Sequence, residues 1–208
     1  MSEPAYPLTL PESHGPAWPA QGRWTYEDYL RIPEDGRRYE VIRGFLYVTP
    51  APSFDHQLSV TKISHFLTAF VDQNRLGVVL VAPFEIRLPR GIGNPVQPDV
   101  VFIRRERQPW RGDARFEGIP DLVVEVLSRG NWRFDRTTKL TAYRDAGIPE
   151  VWLVDPIART VEVFALSPES WEYRLWERRG AGETVGSSVL DGLAIEVSLL
   201  FSEEPTDS

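Results

Sequence analysis

The 208-residue chain contains no cysteine, and Lys62 and Lys139 are the only lysines among its 23 basic residues. The absence of cysteine excludes disulfide scaffolds, thiolate zinc sites and cysteine nucleophiles. No apolar run approaches the roughly 18 residues that a membrane span requires. The opening MSEPAYPLTLPESHGPAWPAQG has neither a basic start nor an apolar core, so no signal peptide is expected. A soluble, cytoplasmic protein is the expectation. Walker loops, GxGxxG and GxSxG are all missing. The three histidines, His14, His56 and His65, do not form HExxH. Because the chain uses arginine almost everywhere for its cations, a retained lysine is informative. Arginine does not replace a compact ammonium.

The composition is that of a globular chain, 42% hydrophobic and 25% charged, long enough for one good core. A net charge of −7 and a pI near 5.1 count against a basic nucleic-acid coat. They leave room for a local basic patch, because steering depends on where the charge lies.

Residues 1–23 read as a loose Pro-rich arm, 24–201 as a single domain and 202–208 as an acidic tail. Thr25–Ile32 predicts a short helix capped by Thr25. Arg38–Ile42 and Phe45–Val48 flank Arg43-Gly44 as a hairpin. Phe54–Arg75 carries apolar residues at helical spacing, with Gly77 as the stop signal. Strands are expected at Val78–Ala82, Phe84–Leu88, Asp99–Ile103, Leu122–Leu127 and Val151–Val154, with charged, irregular chain over Arg104–Gly118. Phe134–Ala146 predicts a helix closed by Gly147. Thr160–Ala165 and Trp171–Glu177 form a candidate hairpin, and Ala194–Val197 a last strand. Strand, helix, strand over Leu122–Val154 makes a βαβ unit. The whole is a mixed α/β (α+β) fold, a mixed sheet flanked by helices and hairpins.

The chemistry concentrates in PDLVVEVLSRG and QPDVVFI. Glu125 interrupts a strand whose same-face neighbours, Val123 and Leu127, prefer burial. A buried, unpaired carboxylate costs several kcal/mol, so a cation is expected beside it. Asp99 heads the other apolar segment, and Lys139 follows Glu125 by 14 residues. Two carboxylates on neighbouring strands can share Mg²⁺ (or Mn²⁺), with the Val126 backbone carbonyl as a third protein oxygen and water and phosphate completing the octahedron. Such an ion polarises a phosphoryl oxygen and acidifies a bound water, and an ammonium nearby orients that water or stabilises the phosphate. Ordinary readings stand beside this one. Asp99 can cap a strand after Pro98, and Asp135 and Lys139 can form a surface i,i+4 pair.

Together these residues resemble the PD-(D/E)XK nuclease superfamily, with its restriction-endonuclease-like fold, and more closely the Uma-type bacterial endonuclease family. The resemblance runs from Thr25 to about Phe201. It rests on RRYEVIRGFLYVTPAPS, HQLSV, QPDVVFI and above all PDLVVEVLSRG…FDRTTKLTAYRDAGIPEVWLVDP. It implies that Asp99 and Glu125 are metal ligands and that Lys139, on the following helix, is the motif lysine. The position used by the wider superfamily, 127, holds Leu127. The resemblance adds Glu40 as a further acidic site residue. His56 falls in a matching segment but reads as a polar helix-start residue.

Supporting positions follow from placement. Gln97 precedes the motif Asp. Ser128 follows the Glu strand. Asp135 is placed to hold Lys139, and Tyr143, one turn on, to pack over the lysine stem. Arg129, Arg133 and Arg136 are candidate phosphate contacts, with Arg104–Arg115 arginines and the indoles of Trp110 and Trp132 as further nucleic-acid contacts. DNA is the expected partner and a homodimer the expected assembly. A non-catalytic nucleic-acid or protein binding module on the same fold stays open, as does hydrolysis of RNA or a nucleotide.

Overall fold

The computed structural model describes residues 17–49, 51–92, 94–108, 115–128 and 132–202. Two strands make the first hairpin: β1 (Arg38–Ile42) pairs antiparallel with β2 (Phe45–Thr49). A short helix, α1 (Tyr26–Tyr29), precedes it. Its Thr25 side chain accepts from the Asp28 N–H while Asp28 reaches back to the Thr25 N–H, a reciprocal cap. The described end of the expected arm is tied down rather than loose. Gln21 exchanges side-chain hydrogen bonds with both backbone groups of Leu46, and Trp18 stacks on Trp24. Gly44 lets this happen: at φ 76, a Cβ there would lie 2.6 Å from the Gly22 carbonyl oxygen.

The long helix α2 (Phe54–Asn74) follows, capped by the Ser53 hydroxyl. It stops at Arg75, which adopts the left-handed conformation at the C-cap. Gly77, the expected stop signal, is instead the first residue of β3 (Gly77–Val81). A glycine is needed there for contact: a Cβ would fall 2.1 Å from the Ile103 carbonyl oxygen of the paired strand.

Next come β4 (Glu85–Arg87), β5 (Val100–Arg104), β6 (Arg115–Glu117) and β7 (Leu122–Val126). The Arg104–Gly118 stretch is therefore not wholly irregular, because β6 pairs parallel with β4. The helix after β7 is composite. A turn, α3 (Trp132–Phe134), passes through one π turn, Asp135–Lys139, into α4 (Leu140–Ala146). The chain ends in β8 (Glu150–Asp155), β9 (Thr160–Leu166), β10 (Tyr173–Gly180), β11 (Thr184–Val185) and β12 (Ile195–Glu196).

Six strands form the central mixed sheet in the order β10-β9-β8-β7-β5-β3. Only β7 and β8 run parallel within it, joined through the α3–α4 helix as a βαβ unit. Alternation sends the residues of β5 and β7 to two faces. Val100, Phe102, Val124 and Val126 pack under Val60, Ile63 and Leu67 of α2 and the C-terminal segment. Val101, Val123, Leu127 and Leu153 pack against Ala142 and Tyr143 of α4. Asp99 and Glu125 belong by parity to this second face, the one that α4 covers.

Candidate active site

The register of β5 against β7 pairs Val100 with Val124. One step further, Asp99 stands directly across from Glu125. Both side chains are on one face, where opposite residues have Cβ atoms about 5 Å apart. Neither carboxylate is in water: Asp99 is 3% exposed and Glu125 2%. This answers the problem posed by a charge inside a β-run. Glu125 is buried, and its cation is Lys139. The lysine Nζ donates to Glu125 Oε1 and Oε2, 3.1 Å each. The Tyr143 hydroxyl donates to Oε1 at 2.5 Å. Tyr143 thus acts on the carboxylate, whereas sequence spacing placed it over the lysine stem.

The π turn explains how Lys139 reaches inward. A widened turn re-aims the side chains that follow it. Here it turns both Asp135 and Lys139 toward the sheet, and both are buried. The Asp135–Lys139 pair is therefore no surface contact, although at 3.9 Å it is the longest of the lysine's ion pairs. Glu40, from the middle of β1, is fully buried and contributes Oε2 at 3.0 Å from Nζ. That contact is an ion pair outside hydrogen-bond angles, so the oxygen makes no hydrogen bond. Glu40 Oε1 is fixed by the Gln97 backbone N–H at 2.6 Å. Gln97 serves the site through its backbone. Its amide Nε2 faces the Tyr29 hydroxyl and Tyr39 carbonyl, both at 3.3 Å.

Asp99 is held by three donors. The Val126 N–H donates to Oδ2 at 2.9 Å, His56 Nε2 lies 3.2 Å from Oδ2, and Arg38 Nη2 donates to Oδ1 at 3.4 Å. Sequence reasoning passed over His56 and Arg38. His56 is in the first turn of α2, buried, with Nδ1 unpartnered. Its place in the matching HQLSV segment was the available signal. Arg38 had a weaker one, being two residues before Glu40 and so on the same face of β1.

A cavity of about 30 Å³ opens beside these groups, room for one or two small species. Arg38, Thr49, Pro52, His56, Ser128 and Val126 line it together with Asp99, Glu125, Asp135 and Lys139. Of the expected phosphate contacts, Arg136 is ion-paired to Glu162 at 2.5 Å. Arg133 is exposed at the start of the composite helix. Arg129, Trp110, Arg111 and His14 lie outside the described residues, as does the Trp132 side chain.

The charges do not balance. Glu40, Asp99, Glu125 and Asp135 face two permanent cations, Arg38 and Lys139. Burial pushes the Glu125 carboxyl well above its usual range. Lys139 opposes this, and the repulsion of Asp99, Asp135 and Glu40 adds to it. Asp135 is pushed up to about 7, first by burial, with Lys139 opposing and Asp99 and Glu40 reinforcing. Asp99 moves the other way. Burial, its largest influence, raises it, but the His56 contact and the charges of His56, Arg38 and Lys139 together hold it below the usual value. Lys139 is lowered by burial and more than restored by Glu125, Glu40, Asp135 and Asp99, so it stays charged. Among the described residues, no three His, Cys, Asp or Glu side chains converge closely enough to cage a metal on their own. Two hard carboxylates suit Mg²⁺ better, since that ion keeps several waters and takes few protein ligands.

A mixed sheet carrying paired carboxylates, with a lysine reaching them from the helix that follows, is the arrangement of a restriction-endonuclease-like fold. The model of the Uma2 family, described as "Putative restriction endonuclease", matches residues 26–198. The chain belongs to that family. A solved structure from Anabaena variabilis ATCC 29413, described as a "putative nuclease belonging to DUF820", superposes with a TM-score of 0.71. It is 21% identical, over 86% of this chain and 97% of that one, and so attests the fold. No curated protein matches significantly. Among the described residues no helix is long and apolar enough to cross a membrane.

Proposed function

We propose that this protein is an endonuclease that hydrolyses DNA phosphodiester bonds with Mg²⁺ or Mn²⁺. One observation carries the reading: Asp99 and Glu125 stand opposite each other, buried, beside a small cavity, with a lysine ammonium on one of them. Like charges in that cross-strand relation destabilise a sheet. A divalent cation held by Asp99, Glu125 and the Val126 carbonyl removes the conflict. Such an ion neutralises phosphate oxygens and acidifies water.

The chain's own residues prepare this site. The Val126 N–H and His56 fix Asp99. Tyr143 and Lys139 fix Glu125. Glu40, anchored by the Gln97 N–H, pairs with the Lys139 ammonium at 3.0 Å. The nuclease description of the family supports the same reaction class. Double-strand cleavage calls for two such sites. A two-fold dimer through the β10 edge, where Leu175 and Trp176 are half exposed, would supply them.

The test is cleavage of plasmid, linear and single-stranded DNA, with RNA alongside, in Mg²⁺ or Mn²⁺. Asp99→Ala and Glu125→Ala abolish cleavage if the reading holds. Wild-type activity surviving in both variants, from nuclease-free material, refutes it. A non-catalytic binding module on this fold has one observation in its favour: Lys139 lies within 3.1 Å of both Glu40 and Glu125 and offsets part of their charge. That reading requires binding without turnover and indifference to Mn²⁺.

A further inference from the structure

Lys139 is the obvious cation to meet a substrate phosphate, but its surroundings argue otherwise. An ammonium has three N–H donors. Nζ donates to both oxygens of Glu125 at 3.1 Å, and a Glu40 oxygen lies 3.0 Å away as an ion pair without a hydrogen bond. The side chain is 3% exposed. Lys139 also lines the cavity, but moving its ammonium toward a phosphate there would draw it off these buried carboxylates, at a cost.

Arg38 is in the opposite condition. A guanidinium has five N–H donors in a planar fork. One of them makes a hydrogen bond here, to Asp99 Oδ1, and at 3.4 Å that bond is long for a charged pair. None of its nitrogens is both buried and unpartnered, and its side chain is 24% exposed. It is also the only guanidinium lining the cavity among the described residues. β1 alternation aims it the same way as Glu40, two residues on and fully buried, so Arg38 is placed nearer the mouth. A cation on Asp99 would weaken the long Arg38–Asp99 contact by like-charge repulsion. The fork would then be free beside the same cavity, in a geometry suited to two phosphate oxygens.

We propose that Arg38 binds the non-bridging oxygens of the substrate phosphate. The proposal rests on the nuclease reading above. It moves phosphate recognition away from the helix arginines and onto β1.

The experiment measures binding of a short fluorescein-labelled DNA duplex by fluorescence anisotropy, with Mn²⁺, across a salt series. Wild type, Arg38→Gln and Arg38→Lys are compared. Calorimetric titration with Mn²⁺ alone runs beside it, and thermal melts establish that each variant is folded. Arg38→Gln is expected to bind DNA about 10- to 100-fold more weakly, the scale of a lost charged hydrogen bond. Its salt slope falls by about one phosphate contact. Mn²⁺ uptake is retained or tightened. Arg38→Lys keeps the charge but loses the fork, and recovers only part of the affinity. Wild-type affinity and salt slope in a folded Arg38→Gln protein overturn the inference while leaving the nuclease reading intact. A wild-type protein that takes up neither Mn²⁺ nor the duplex overturns both.

Discussion

Replacing Lys139 with methionine tests whether the site's carboxylates depend on that one ammonium. The substitution keeps an unbranched stem and removes the charge. Lys139 is 3% exposed, and its Nζ has Glu125 at 3.1 Å and Glu40 at 3.0 Å. Removing one partner of a buried ion pair costs about 3–5 kcal/mol, because the other charge is left uncompensated. For a chain of this size each kcal/mol moves the melting temperature by about 2–4 °C, so a fall of about 6–20 °C is expected. The loss also has a pH signature. Glu125 and Asp135 already sit above their usual carboxyl range with the lysine present. Without it their folded-state pKa values rise further, while the unfolded values stay the same. The folded variant then binds more protons than the unfolded chain over a wider interval, and stability falls as pH rises through it. The penalty is therefore larger at pH 8 than at pH 5. Differential scanning calorimetry of metal-free wild type and Lys139→Met at both pH values reads this directly. A melting temperature unchanged at pH 8, or a loss of equal size at both, refutes the reasoning.

Two further outcomes follow from single groups. Asp135, held at about 7 against its ordinary 3.8, keeps its proton in the folded state where the unfolded chain has lost it. Stability should therefore fall between about pH 4 and pH 7 and level off above. Asp135→Asn should flatten that decline in urea unfolding, and a slope equal to wild type would count against the assignment. Gly77→Ala places a Cβ 2.1 Å from the Ile103 carbonyl of a hydrogen-bonded strand, which has little room to yield. A cost of about 1–3 kcal/mol is expected, with a lower melting temperature. Unaltered stability would show that β3 shifts more easily than its pairing indicates.

Much of this architecture was legible because its signals are local. The hairpin at Arg43-Gly44, the α2 periodicity and the βαβ order each depend on neighbours in sequence, and each formed. Glu125 stood out because a carboxylate in a buried strand has to be explained, and Lys139 because lysine is rare in this chain. The parts that were missed depend on distance. His56 and Arg38 matter only because the fold brings them to Asp99, 43 and 61 positions away in sequence. A three-residue strand in a charged stretch, β6, has no periodicity to display and exists through its partner β4. Arg75 closes α2 in a left-handed conformation that residue preference assigns to glycine, so the stop signal in the sequence pointed two residues too far, to Gly77. The π turn left no trace in the spacing, yet it decides that Asp135 and Lys139 face inward.

The central claim is that Asp99 and Glu125 serve one divalent ion. The most direct measurement is an anomalous difference map from crystals of the wild-type protein soaked in Mn²⁺. A single strong peak is expected about 2 Å from an oxygen of each carboxylate, missing from Asp99→Asn crystals treated alike. A map without density there at saturating Mn²⁺, or with the ion bound elsewhere, contradicts it.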